Sequence, residues 1–176
     1  MKKVLIVIDM QNDFVTGSLG TPEAQVIVPK VVEKVNECSA TGHEIVFTQD
    51  THFDDETGNY LNTLEGKYLP VKHCIFNTEG WDIIPDLEAN STNIIEKFTF
   101  GFDEWWDLFN FETDIQFELV GLCTDICVIS NALILRAQFP NSEIIVHADC
   151  CAGTTPEKHA AALEVMKSCQ IIVEGE

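Results

Sequence analysis

Val4-Leu5-Ile6-Val7-Ile8-Asp9 is the stretch whose reading decides the fold. Five apolar residues in unbroken succession suit a central strand buried on both faces, the situation of a parallel sheet covered by helices. Asp9 ends the run, and a carboxylate closing such a strand needs a partner or a task. The pattern recurs outward along the chain: residues 44–48 lead to Asp50, 93–96 to Lys97, 115–121 to the segment holding Cys123 and Cys127, and 144–146 to Asp149. Strand ends in a parallel α/β sheet point the same way, and ligands sit in the crevice outside their carboxyl ends. Polar residues far apart in sequence are thereby expected at one edge, which is an enzyme's arrangement.

Helical patterns lie between these strands. Residues 23–40 place Val28, Val31, Val32 and Val35 at helical spacing, with Gly42 just beyond as a stop. Residues 103–109 read as a short helix, 124–138 as one apolar nearly all round and hence buried, and 156–168 as one with Pro156 near its first turn. Residues 170–173 supply a last strand. The alternation predicts one domain over residues 1–176, a three-layer α-β-α, Rossmann-like fold with a mostly parallel six-stranded sheet. Residues 51–92 lack clear periodicity and carry Gly58, Gly66, Pro70, Gly80 and Pro85. A loop that long inside a compact domain points to function, and Tyr60, Tyr68 and Trp81 give it surface to pack.

Composition narrows the classes. The 176 residues are 45% hydrophobic, with 29 acidic against 10 basic side chains and a formal charge of −19. That field repels phosphate backbones and anionic lipid, so neither nucleic acid nor membrane is expected as a partner. The opening Met1-Lys2-Lys3 and its apolar run lack a cleavage site, and Asp9 interrupts them, so they read as a strand and not as a signal peptide. Seven cysteines without framework spacing fit a reducing cytoplasm.

Cys127 is the nucleophile candidate. In Gly121-Leu122-Cys123-Thr124-Asp125-Ile126-Cys127-Val128 a strand gives way to a helix start, which Thr124 or Asp125 would cap. A thiol in the first turn feels the positive end of the helix dipole, which favours thiolate, and the orphan backbone N–H groups could bind an oxyanion. The bland alternatives are a buried core cysteine, or a redox pair or half metal site with Cys123. Singly, Asp9 could be a loop carboxylate on backbone N–H groups near Gln11 and Asn12, and Lys97 a lysine reaching for solvent. Together, a nucleophile, an acid–base group and a cation at neighbouring strand ends are what thiol catalysis requires. A second cluster, Asp50, His52, Glu65 and His73, has the donors for zinc, with manganese or iron as alternatives. His43, His147 and His159 are assigned structural roles.

These residues resemble the isochorismatase-like cysteine hydrolases, a superfamily that includes nicotinamidases. The resemblance spans nearly the whole chain and rests on Val7 through Phe14, Thr48-Gln49-Asp50-Thr51-His52, Leu69-Pro70-Val71-Lys72-His73-Cys74, Glu96-Lys97 and Gly121 through Val128. It implies an Asp–Lys–Cys triad of Asp9, Lys97 and Cys127, an oxyanion hole from the backbone N–H groups of Cys123 and Cys127, and a cis peptide at Leu122–Cys123. It further implies a divalent metal on Asp50, His52 and His73, with Glu65 as an added ligand, holding a substrate ring nitrogen. The implied activity is hydrolysis of nicotinamide or a similar small-molecule amide through a thioester, by an enzyme that forms homo-oligomers. Two departures touch the ring-binding wall: Leu69 stands where the nicotinamidase branch tends to have Trp, and the segment from Pro70 to His73 is one residue longer. Phe14 would supply one face for a ring, with Leu69 and Tyr68 or Phe102 about the other. The rival readings are a carbamoyl- or ureido-compound hydrolase on the same scaffold, and a non-enzymatic metal- or thiol-sensing binding protein. A vinyl-ether hydrolase ranks below these, because that branch lacks this cysteine.

Overall fold

Val4 through Ile8 are all fully buried, as a strand covered on both faces must be. The computed structural model describes residues 1–56, 58–112 and 114–176. The run is the core of β1 (Lys2–Ile8), followed by α1 (Asn12–Val15), α2 (Pro22–Ala40) and β2 (Glu44–Asp50). After β2 come a 3-10 turn at Tyr60–Asn62, α3 (Leu64–Tyr68), α4 (Pro85–Glu88), β3 (Ile94–Lys97) and α5 (Trp105–Phe109). Then follow β4 (Ile115–Leu122), a π-helical turn at Thr124–Val128, α6 (Ile129–Gln138), β5 (Glu143–Ala152), α7 (Pro156–Ser168) and β6 (Ile172–Glu174). The strands form one sheet in the order β3-β2-β1-β4-β5-β6, and every pairing is parallel. The sheet is thus six-stranded as expected, and wholly rather than mostly parallel.

Alternation along β1 distributes the two helical layers. Val4, Ile6 and Ile8 face a cluster with Trp105, Phe109, Leu135, Leu163 and Met166, from α5, α6 and α7. Leu5 and Val7 face the other way, against Ile27, Val31 and Val35 of α2 and Leu87 of α4. The long helices begin where their caps dictate. Thr21 accepts the Ala24 N–H ahead of α2, Thr155 accepts the Lys158 N–H ahead of α7, and each helix opens with proline.

The register brings the strand ends level. Ile8 pairs with Gly121, and Asp50 pairs directly with Lys97. Asp9 turns away from the end of β1 at φ +48°, a left-handed conformation that Asp tolerates better than most residues. Beside it, Gly121 has φ +117°. Two boundaries differ from expectation. Residues 124–138 begin with a π turn before the α-helix, and neither Thr124 nor Asp125 caps it. Instead, the Asp125 carboxylate accepts the backbone N–H and hydroxyl of Thr154, and Thr124 meets His159 at 2.8 Å. Strand β5 also continues past Asp149 to Ala152, so Asp149 stays exposed on the strand, 3.4 Å from Lys30, away from the catalytic edge.

A side chain at Gly121 would drive Cβ to 2.1 Å from the Ile8 carbonyl oxygen, at a φ disfavoured for L residues. Gly121→Ala should therefore destabilise the fold by at least about 3 kcal/mol in urea unfolding. A change below about 0.5 kcal/mol, as for an ordinary surface substitution, would contradict this close approach.

Candidate active site

Lys97 is the largest charged side chain sealed in the interior, 2% exposed at the end of β3. Its Nζ lies 2.7 Å from Asp9 Oδ2, 3.0 Å from Asp50 Oδ1 and 3.5 Å from Cys127 Sγ. The three elements it joins arrive there for separate reasons: β1 carries Asp9 past its end, the β2–β3 register sets Asp50 opposite Lys97, and the π turn after β4 presents Cys127. Thus Asp9, Lys97 and Cys127 converge as the sequence anticipates. Lys97 reaches inward to two carboxylates, not outward to water.

The environment sets the charges. Burial opposes the ammonium of Lys97, but Asp9, Cys127 and Asp50 outweigh it and hold its pKa well above the usual lysine value. Burial also opposes the Asp50 carboxylate, and Lys97 and His52 overcome it, bringing Asp50 down to about 2. Asp9 goes the other way. Its complete burial raises the pKa, Lys97 counters and Asp50 reinforces. Burial pushes the Cys127 thiol well above the ordinary range, despite Lys97. Burial of Cys127 therefore acts opposite to the helix-dipole effect expected from its place in the first turn, and Lys97 acts with that effect. Asp9 and Cys127 meet at the same ammonium, with Asp9 Oδ2 2.7 Å and Cys127 Sγ 3.5 Å from Lys97 Nζ.

Several positioning residues carry no obvious mark in the sequence. The Thr48 hydroxyl donates to Asp9 Oδ1 at 2.6 Å and accepts the Asp9 N–H at 3.2 Å, clamping the carboxylate from β2. Gln11 ties the loop after β1 to the end of β2: its Nε2 donates to the carbonyls of Asp50 and Trp81, and its Oε1 accepts the Asp50 N–H. Asn131 donates to the Cys127 carbonyl at 2.8 Å and accepts from Trp105 Nε1 and the Phe102 N–H, fixing the nucleophile's turn against α5. The peptide Leu122–Cys123 is cis, as the resemblance implies.

The second cluster also assembles. The irregular segment returns to the sheet as a short strand-like stretch: the His52 N–H donates to the Cys74 carbonyl, and the Phe76 N–H donates to the His52 carbonyl. Asp13 anchors the same stretch by accepting the Cys74 N–H at 2.8 Å. His73 is thereby set beside His52, with ring centroids 4.8 Å apart. One donor atom each from Asp50, His52, Glu65 and His73 lies within 4.8 Å of all the others. His73 Nδ1 sits 2.8 Å from the Val71 carbonyl, which assigns its proton there and turns the Nε2 lone pair to the cluster. His52 Nε2 is buried, 3.0 Å from Asp50 Oδ2, and satisfied by no hydrogen bond. Burial opposes charge on His73, but Glu65, the Val71 carbonyl and Asp50 outweigh it and raise its pKa. Two carboxylates and two imidazole nitrogens, one an orphan, fit a divalent cation of the zinc type.

Above both clusters opens a cavity of about 730 Å³, with Cys123, Cys127, Asp50, Glu65 and His73 in its lining. Phe14 and Leu69 line it as expected, with Tyr68 also at the wall. Phe102 does not: its ring packs edge-on against Trp105 at 4.9 Å. Gly101 turns the chain there, and from this segment Phe98 and Phe100 reach the cavity. His43 and His147 keep structural roles, 3.2 and 2.7 Å from the buried Glu118 carboxylate.

The chain's relatives agree with this architecture. Residues 3–175 match the model of the isochorismatase domain. The chain is 32% identical to an uncharacterized isochorismatase family protein of Bacillus subtilis, over 93% of each chain. Its fold superposes on a nicotinamidase/pyrazinamidase of Bacillus subtilis with a TM-score of 0.85 and 29% identity, covering 99% of this chain and 100% of that one. A pyrazinamidase of Pyrococcus horikoshii, solved in complex with zinc, gives 0.84 and 30%, with 98% of each chain covered. With its sheet order, strand-end residues and full-length match in accord, the chain belongs to the isochorismatase family, on its nicotinamidase-like branch.

Proposed function

We propose that the protein is a cysteine-dependent amidohydrolase that converts nicotinamide or a closely similar carboxamide to the acid and ammonia. The observation that carries this reading is the buried ammonium of Lys97 held among Asp9, Asp50 and Cys127, directly beneath the cavity. A sensing protein would have no use for a desolvated carboxylate, thiol and ammonium so arranged.

In the proposed reaction a carboxamide carbon sits over Cys127 Sγ. Asp9 takes the thiol proton as the sulfur attacks, and Lys97 steadies the charge that passes between them. Thr48 holds Asp9 in the orientation this needs. The backbone N–H groups of Cys123 and Cys127 receive the oxyanion. Asp9, now protonated, returns the proton to the departing amine, leaving an acyl thioester on Cys127. It then deprotonates the water that attacks the thioester, and the acid leaves with the thiol restored. Asp50, His52, Glu65 and His73 would hold a divalent cation, which would supply a Lewis-acidic anchor for a substrate ring nitrogen. The nitrogen and oxygen donors, together with the zinc complex of the similar Pyrococcus horikoshii pyrazinamidase, favour zinc.

Three outcomes test the scheme. Cys127→Ala should lower ammonia release from nicotinamide by about 10⁴-fold or more while circular dichroism and metal content stay unchanged; substantial residual turnover would end the thioester scheme. His73→Ala should lose most bound zinc by elemental analysis, and full retention would remove the cluster's assignment. Because burial raises the Asp9 pKa, the base is lost as pH falls through a value above the ordinary carboxylate range. The acid limb of kcat/KM should therefore have its midpoint above about 4, and a midpoint below that would exclude Asp9 as the base.

A further inference from the structure

The cavity lining is mostly apolar, with Thr21, Thr99 and Thr154 as its neutral hydroxyl groups beside Tyr68. Above Cys127, Asp50, Glu65 and His73 the wall is formed by Leu64, Tyr68, Leu69, Phe98, Phe100 and Ile126. Much of that apolar rim is left in water: Leu64 is 71% exposed, Tyr68 84%, Phe98 58% and Phe100 45%. Isolated exposed apolar side chains are ordinary, whereas a ring of them about one concavity marks a surface that a ligand covers. The rim is also pre-built. Phe98 stacks on Phe53 at 5.9 Å, Phe53 packs on Phe76 at 5.7 Å, and Phe76 meets Trp81 edge-on at 5.0 Å. Leu69 is set by the bond that the buried Tyr60 hydroxyl donates to its carbonyl.

Size and charge then restrict the occupant. A volume of about 730 Å³ falls among pockets that take drug-sized ligands, roughly 300–1,000 Å³, and a single-ring carboxamide seated on the floor leaves the rim uncovered. Among the described residues no Lys or Arg side chain lines the cavity. The ammonium beneath it, on Lys97, is already shared by Asp9 and Asp50. At the rim an anionic substituent would find no basic side chain, and it would sit in the field of a net charge of −19.

We infer that the site selects a neutral aromatic carboxamide whose ring carries a further apolar group, with the amide at Cys127 and the apolar group against Phe98, Phe100, Tyr68 and Leu69. The inference rests on the amidase reading above and narrows it. A bare pyridine carboxamide is then a minimal substrate, and a carboxylate on the rim-facing group is disfavoured by charge.

The test compares kcat/KM for ammonia release by the zinc-loaded wild-type protein on nicotinamide, 5-phenylnicotinamide and 5-(4-carboxyphenyl)nicotinamide. The phenyl compound should exceed nicotinamide by about tenfold or more, since apolar increments far smaller than a ring already give that discrimination in a hydrophobic pocket. The carboxyphenyl compound should fall at least about tenfold below the phenyl one. Phe98→Ala should reduce the phenyl-to-nicotinamide ratio. Turnover of nicotinamide with no gain from the phenyl group, or equal turnover of the carboxylate, overturns this inference and leaves the amidase reading standing. Silence on every amide overturns the amidase reading and this inference with it.

Discussion

One buried ammonium organises this molecule. Lys97 Nζ stands between two carboxylates and a thiol, with almost no water near it. Placing a charge in such an interior costs several kcal/mol, and removing one partner from such a set is worse, because the others are left uncompensated. Asp9 and Asp50 together offset the charge, yet they serve different centres. Asp9 belongs with Cys127, while Asp50 turns its other oxygen to His52 and His73. The Asp9–Cys127 pair and the cluster of Asp50, His52 and His73 are thus two sides of one electrostatic unit, and a change on either side is felt through Lys97.

The sheet exists in a form that makes this unit possible. Parallel pairing levels the ends of β1, β2, β3 and β4, and each end contributes one member or the turn that holds it. The close approach of Gly121 to Ile8 brings the end of β4, and with it Cys127, against Asp9. Hydrogen bonds from Thr48, Gln11 and Asn131 then fix what the strands only place approximately. The long segment after β2 brings His73 to the cluster by returning to pair with His52, so it behaves as an extension of the sheet edge.

Much of this was legible in the residues, and the reasons are physical. Asp9 closes a wholly apolar buried run, Asp50 and Lys97 end the strands β2 and β3, Cys127 follows the end of β4, and a parallel sheet sends such ends to one edge. Thr48, Gln11 and Asn131 were hidden because each acts through a contact between distant segments, and a hydroxyl or amide in a strand or helix carries no local mark. The signal for Thr48 was faint but real: it lies two residues before Asp50 and so faces the same side of β2. Phe102 was misplaced for a related reason. Three rings flank Gly101, and Phe98 and Phe100 enter the cavity while Phe102 packs on Trp105. A helix-dipole argument treats the first turn in isolation, whereas Cys127 is sealed beside Asp9 and Asp50, and its burial acts in the opposite direction.

The central claim is that the Asp9–Lys97–Cys127 unit carries an acyl group on sulfur. Hydroxylamine partitioning tests it most directly, with nicotinamide held well below KM. If an acyl thioester lies on the path, the hydroxamate should grow at the expense of nicotinate while ammonia release stays constant, because both nucleophiles draw on one intermediate formed earlier. If ammonia release instead rises in step with hydroxamate and nicotinate is undiminished, hydroxylamine attacks the amide itself and no acyl-Cys127 exists.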